Sequence, residues 1–265
     1  MSPSFLYGTA WKEDDTERCV RDALAAGFRA IDTANQRKHY YEEGVGRGVA
    51  ASGIARSALW LQTKFTFIDG QDQRLPYDPR APIATQVAQS FASSCEHLRT
   101  DYLDSLVLHG PSQREGLGAD DHEAWRAMET IAESGRARAL GVSNVTPRQI
   151  EDLVAFARVK PSYVQNRCYA RVGWDALARK VCRDHGITYQ GFSLLTANRQ
   201  VLANKDVAAI ASRHGRTIAQ VVFRFCQQVG MLPLTGTTDP THMREDLAMD
   251  FELSPADIAT LDAAG

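Results

Sequence analysis

The sequence predicts an α/β fold in which eight parallel strands close into a (β/α)8 TIM barrel, with residues 1–265 forming a single domain. Short apolar runs alternate with amphipathic stretches from one end to the other, a pattern that calls for parallel strands joined by right-handed helical crossovers. The 265 residues match the roughly 250 that such a barrel occupies as one domain. No Gly-x-Gly-x-x-Gly joins the first strand to the first helix, so the open doubly wound sheet lacks its dinucleotide fingerprint. The alternation alone fits a closed barrel and an open sheet equally.

The expected strands are Phe5–Gly8, Phe28–Asp32, Leu59–Lys64, Leu103–Leu108, Ala139–Ser143, Tyr163–Gln165, Thr188–Phe192 and Met231–Leu234. Between them, Thr16–Ala26, Ala84–Leu98, Glu123–Ser134, Pro147–Ala157, Asp175–His185 and Val207–His214 space apolar residues at i, i+3 and i+4, the helical period. Gly27, Gly135, Gly186 and Gly230 stand where helices close shortly before a strand. Gly44-Val-Gly46-Arg-Gly48 lies inside a helical pattern and reads as close helix packing, not as a phosphate loop. Asp69–Pro82, rich in Asp, Gln and Pro, is the longest interruption and reads as a surface excursion. After the last strand, Pro240–Ala248 reads as a helix.

Composition narrows the partners. Net charge is -2 with 23% charged residues, so nothing points to nucleic acid or to an anionic membrane. Five cysteines at unpatterned spacings, without a Cys-x-x-Cys, argue against a disulfide framework and against a zinc or other metal site. The N-terminus shows no signal-peptide pattern, and no run approaches the ~18 apolar residues of a membrane span. A cytoplasmic protein, acting as a monomer or weak homo-oligomer on a small molecule, is expected.

In a barrel, groups just past the C-terminal ends of the strands converge on one mouth. Here those ends carry Asp32, Lys64 and His109 on consecutive strands. Singly, each has an ordinary reading: a helix cap, half of an ion pair, a rim residue. Together they are harder to dismiss, because a buried lysine is costly unless paired and Asp32 is the neighbouring partner. A phenol placed beside the ammonium would have its pKa of ~10 lowered. The histidine would orient a substrate oxygen or share the proton. Such a set suits protonation of an alkoxide as hydride reaches a carbonyl carbon.

Gly27-Phe-Arg-Ala-Ile-Asp-Thr-Ala34, Thr63-Lys64, Asp101-Tyr-Leu-Asp-Ser-Leu-Val-Leu-His109 and Gly141-Val-Ser-Asn144 resemble, in this order, the successive blocks of the aldo-keto reductase superfamily. The resemblance runs from Gly8-Thr9 to Leu261-Asp262. It implies an NAD(P)H-dependent (β/α)8 oxidoreductase interconverting an aldehyde or ketone and its alcohol, with an Asp, Tyr, Lys, His tetrad. Asp32, Lys64 and His109 match directly. The tyrosine does not: five residues after the aspartate stands Arg37, which donates no proton near neutrality. The loop Asn35–Tyr41 is about two residues longer than the family pattern, and counting back from Glu42-Glu43 lands on His39. Tyr40 is the first choice of proton donor, Tyr41 the second and His39 the third. Arg37 and Lys38 read as solvated loop charges, or else as attractors of an anionic substrate.

By the same resemblance, Ser143, Asn144 and Gln165 hold the nicotinamide carboxamide and Phe192 stacks on the ring. Ser193 and Leu195 lie along the pyrophosphate, and Gly8 and Thr9 join the cofactor contacts. Gly236, Thr237, His242, Glu245 and Asp246 fall on the adenosine-phosphate positions. Relatives specific for NADP often carry Lys and Arg where this chain has Gly236 and His242, so NADP is favoured by family membership and NAD remains open. Trp11 is the expected pocket wall, and the short stretch after the last helix implies an open site with loose substrate selection. Two other readings stand beside this one: a nucleotide-binding regulatory barrel resembling potassium-channel β subunits, and an aldolase with Lys64 as a Schiff-base lysine.

Overall fold

In the computed structural model, which describes residues 3–265, eight parallel strands close into a barrel in chain order. The strands are β1 (Leu6–Gly8), β2 (Ala30–Asp32), β3 (Trp60–Phe65), β4 (Ser105–Leu108), β5 (Leu140–Ser143), β6 (Tyr163–Arg167), β7 (Thr188–Phe192) and β8 (Met231–Thr235). Pairing of Leu6 with Leu234 and of Tyr7 with Thr235 closes the ring. The helices are α1 (Thr16–Ala26), α2 (Glu42–Ala51), α3 (Ile83–Leu98), α4 (Ala119–Glu133), α5 (Pro147–Phe156), α6 (Ala176–Asp184), α7 (Arg199–Leu202), α8 (Lys205–His214), α9 (Ile218–Gln228), α10 (Pro240–Leu247) and α11 (Pro255–Asp262). Met1 and Ser2, within the 1–265 span expected for the domain, lie outside the described residues.

The strand positions match the expected runs with small shifts: β6 extends two residues beyond Gln165, and β4 starts two residues after Leu103. Helix α9 was not among the expected ones. Its apolar residues Val221, Val222, Phe223 and Phe225 are nearly continuous, and their β-branched and aromatic character obscures the helical period. The start is nonetheless written locally, because Thr217 and Gln220 form a reciprocal capping box.

Two apolar regions hold the barrel. The larger lies between strands and helices and includes Trp125, Trp174, Phe223 and Phe225, all fully buried. The smaller fills the lower barrel interior with Leu6, Ala30, Trp60 and Leu232, and Trp60 meets Tyr163 edge-on at 5.4 Å. Because strand side chains alternate faces, residues two positions on from this plug point inward one layer higher. That layer is polar: Asp32, Gln62, Gln165 and Gln190.

The glycines of α2 act by close packing. A Cβ on Gly46 would lie 1.9 Å from the His97 carbonyl oxygen, and one on Gly48 would lie 2.9 Å from that of Glu17. The loop 69–82 is more than an excursion. Tyr77 buries its ring and donates to the Thr66 carbonyl at 2.8 Å, and Gln71 donates to the Asn35 carbonyl at 2.9 Å. It is a buttress for the loop after β2.

Gly46→Ala forces α2 away from the backbone of α3. It is expected to cost ~1–3 kcal/mol or more of stability, as overpacking does, read as a lower urea midpoint with an unchanged slope. An unchanged midpoint would contradict the packing assignment.

Candidate active site

Asp32 ends β2 and is 2% exposed. Its Oδ1 accepts from Lys64 Nζ at 2.7 Å, Gln62 Nε2 at 2.6 Å and Gln165 Nε2 at 3.0 Å. Lys64 also donates to the Thr33 carbonyl at 2.7 Å. Gln62 and Gln165 both donate to Gln190 Oε1 at 2.9 Å, so the glutamines tie three strands to one carboxylate. Burial pulls the Lys64 amine below its ordinary range, and the charge of Asp32 pulls it back up.

The loop after β2 is pinned first and then bulges. Asn35 Nδ2 donates to the Ser90 carbonyl at 2.9 Å, and Gln36 Nε2 donates to that of Gly70 at 2.7 Å. The N–H groups of His39 and Tyr40 both return to the Gln36 carbonyl. The turn sends Tyr40 inward: its ring lies 5.2 Å from Lys64 Nζ and 5.9 Å from the His109 ring. Tyr41 faces away, with the Arg37 and Arg47 guanidinium groups 4.2 and 5.2 Å from its ring. His39 lies against Trp11 at 3.9 Å between centroids. Arg37 therefore covers Tyr41 instead of facing the main cleft, and Lys38 is exposed.

His109 pairs through Nδ1 with the Thr66 hydroxyl at 2.7 Å, and its backbone carbonyl accepts from Asn144 Nδ2 at 2.7 Å. Burial, reinforced by the Lys64 charge, pushes its pKa down to about 3. The imidazole is thus neutral and positions an oxygen; it does not carry a shared proton at pH 7. The expected lowering of the phenol by Lys64 is also corrected. Burial and the Asp32 charge push Tyr40 well above the usual phenol value.

These groups open on a cleft of about 710 Å³ lined by Asp32, Tyr40 and His109 at its base and running to His242, Glu245 and Asp246 on α10. Gly8, Trp11, Ser143, Asn144, Gln165, Phe192, Ser193, Leu195, Gly236 and Thr237 line the course between. Thr9 does not reach it. That side chain is fully buried and donates to the Asp32 carbonyl at 3.0 Å, fastening β1 to β2. Lys64, 1% exposed, sits behind the wall. Trp11, Asn144 and Ser193 adopt left-handed backbone angles (φ 62°, 56° and 56°), which costs energy for non-glycine residues and is characteristic of built sites.

Sequence reasoning missed several groups. Gln62 and Gln190 share the inward face of their strands with Lys64 and Phe192 by the period of two, a signal that was readable. Lys12, Thr196, Thr217, Ala219 and Phe223 also line the cleft, as does Arg167, whose guanidinium lies 5.6 Å from the Phe192 ring centroid. Among the described residues, no helix is long and apolar enough to cross a membrane, and no cluster of three His, Cys, Asp or Glu residues is placed to hold a metal ion.

The model of the Aldo/keto reductase family matches residues 5–265. This chain belongs to that family. It is 34% identical over 265 residues to a Bacillus subtilis protein named glyoxal reductase, covering 98% of this chain and 88% of that one. An aldo-keto reductase of Mycobacterium sp. is 33% identical, with 94% and 83% covered. The crystal structure of an aldo/keto reductase from Brucella melitensis superimposes with a TM-score of 0.84 at 28% identity, covering 99% of this chain and 95% of that one. As an aldo-keto reductase, the protein is an oxidoreductase that interconverts small carbonyl compounds and alcohols with NAD(P)H.

Asp246 supplies a test at the far end of the cleft. It is 3% exposed, accepts from the Thr235 hydroxyl at 2.7 Å, and burial raises its pKa from 3.8 to about 6. The folded state therefore holds a proton that the unfolded chain releases, so stability falls as pH rises from about 4 to 6. Asp246→Asn is expected to raise the stability of the ligand-free protein at pH 7.5 by ~1–3 kcal/mol. The advantage should vanish as pH falls towards 4, followed by thermal unfolding at each pH.

Proposed function

We propose that this aldo-keto reductase reduces small aldehydes and ketones with NADPH as one catalytic barrel unit, with Tyr40 as the proton donor and Asp32, Lys64 and His109 supporting it. The observation that carries the assignment is that Tyr40 is the only tyrosine lining the cleft among the described residues, and it stands between Lys64 and His109.

The cleft suits a dinucleotide. It has a half-buried aromatic face at Phe192, the polar groups of Ser143, Asn144 and Gln165 beside it, and a long channel over Ser193 and Leu195 to Gly236, Thr237, His242, Glu245 and Asp246. Its volume lies within the ordinary range for ligand sites. When bound, the nicotinamide supplies the hydride in reduction or accepts it in oxidation. NADPH is favoured by family membership, and exposed His242 on α10 stands at the far end of the cleft, where its imidazole can donate to a 2′-phosphate.

The residues of the chain do the rest. The neutral imidazole of His109 has Nδ1 tied to Thr66, which leaves Nε2 to orient the carbonyl oxygen. As hydride adds to the carbonyl carbon, the C=O π pair moves onto oxygen, and the Tyr40 O–H proton transfers to that alkoxide. The phenolate left behind is stabilised by the Lys64 charge until it is reprotonated from solvent. Tyr40 rests as a neutral phenol, the form that carries the proton transferred in reduction.

The aldolase reading lacks support in the site. Lys64 is bonded to Asp32 and the Thr33 carbonyl and does not line the cleft, so it is unsuited to Schiff-base formation. All five cysteines are free and buried, which fits a cytoplasmic setting.

Tyr40→Phe is expected to lower kcat at least ~100-fold across a panel of aldehydes and ketones, as loss of a general acid does. Dinucleotide binding should persist, and Tyr41→Phe should stay near wild type. The absorbance of NADPH follows turnover. Loss of activity in Tyr41→Phe with retention in Tyr40→Phe would move the proton donor.

A further inference from the structure

Behind the wall of the cleft, one carboxylate is turned away from its own helix. Asp175 stands at the N-cap of α6, where an aspartate ordinarily accepts from the first free N–H groups of the helix. Its side chain makes no such bond. It lies in left-handed backbone with φ 55°, directly after Gly173 and Trp174 at 72° and 54°, a costly conformation for the bulky tryptophan. Trp174 is fully buried and donates its indole N–H to the Leu261 carbonyl at 3.1 Å, which holds the turn. Turned this way, Asp175 Oδ2 accepts from Asn166 Nδ2 at 2.9 Å and from the Tyr189 hydroxyl at 2.8 Å.

Asn166 follows Gln165 on β6 and is 6% exposed. Its side chain continues the ladder where β5 stops. Ser143 pairs with Gln165, and the Asn144 N–H still reaches the Gln165 carbonyl at 3.1 Å. Asn144 then turns left-handed, with φ 56°. From there Asn166 replaces the backbone: its Oδ1 accepts from the Val145 N–H at 3.0 Å, and its Nδ2 donates to the Val145 carbonyl at 2.8 Å. A carboxylate only accepts, so Asp175 fixes which end of the Asn166 amide meets the Val145 N–H. Beyond this turn, Asn144 lines the cleft. Its Nδ2 is spent on the His109 carbonyl at 2.7 Å and the Ser143 hydroxyl at 3.2 Å, so Oδ1 is the atom left to accept from a ligand N–H.

We infer that Asn166, oriented by Asp175, is a positioning residue for the nicotinamide carboxamide: it holds the Asn144–Val145 turn that presents the Asn144 oxygen to the cleft. The inference rests on the reading of Ser143, Asn144 and Gln165 as the carboxamide site given above. Neither Asn166 nor Asp175 lines the cleft, so both act through Asn144.

Calorimetric titration of the whole protein with NADPH and with 2′-phospho-ADP-ribose, the same molecule without its nicotinamide, isolates this effect. Wild type should bind NADPH more tightly than the fragment. Asn166→Ala is expected to raise the Kd for NADPH at least ~5-fold, the size of one hydrogen bond, with the Kd for the fragment within ~2-fold of wild type. Asp175→Ala should shift the ratio of the two Kd values in the same direction, and it serves as the test if Asn166→Ala does not fold. Asp175→Asn should retain most of the affinity, because an amide oxygen still accepts from Asn166 and Tyr189. A merely structural network would lower the Tm of Asn166→Ala and weaken both ligands alike or neither. An unchanged ratio in Asn166→Ala and Asp175→Ala therefore overturns the inference. If wild type binds NADPH no more tightly than the fragment, the carboxamide reading itself fails, and the inference fails with it.

Discussion

The site depends on one buried carboxylate. Asp32 Oδ1 accepts from an ammonium and two amides, drawn from β3 and β6. An ion pair taken out of water loses hydration that its mutual attraction recovers only when further hydrogen bonds complete it. Gln62, Gln165 and Gln190 provide that completion, which explains a polar layer above the apolar plug of Trp60 and Leu232. Breaking the pair would leave a charge stranded in the middle of the barrel. The strands are thus held in register by the same contacts that fix the chemistry.

Burial also decides the protonation of the site. Together with the charge of Asp32, it holds the Tyr40 phenol neutral. The same burial, with the Lys64 charge, keeps His109 neutral. A neutral donor beside a neutral orienting group is ready to protonate an alkoxide, and Lys64 becomes useful once negative charge develops on the phenol. Around these groups, left-handed backbone at Trp11, Asn144 and Ser193 marks where loops are bent to shape the cleft.

Much of this was legible in the sequence. Strand ends in a barrel converge, so Asp32, Lys64 and His109 were found by position, and the blocks around them identified the family. Tyr40 was harder, because the lengthened loop breaks the family spacing. Its direction is set by anchors at Asn35 and Gln36 to residues far along the chain. Thr9 turns its hydroxyl to the Asp32 carbonyl, and adjacency to Gly8 says nothing about which face that hydroxyl takes. The protonation states were out of reach, since they follow from burial and from which charge is already paired. Lys12 carries no local signal at all: a lysine in a loop reads as solvated until the fold covers it.

The central claim is that Tyr40 rests as a neutral phenol because burial and the charge of Asp32 disfavour the phenolate. The direct measurement is a pH titration of tyrosine labelled at Cζ with 13C, with the Tyr40 resonance assigned by Tyr40→Phe. The predicted result is a Tyr40 shift that stays at its neutral value to pH ~11, past the point where an ordinary phenol is half ionised. A titration with a midpoint at pH ~7–9 would contradict it, showing that the ammonium acts on the phenol in the resting state.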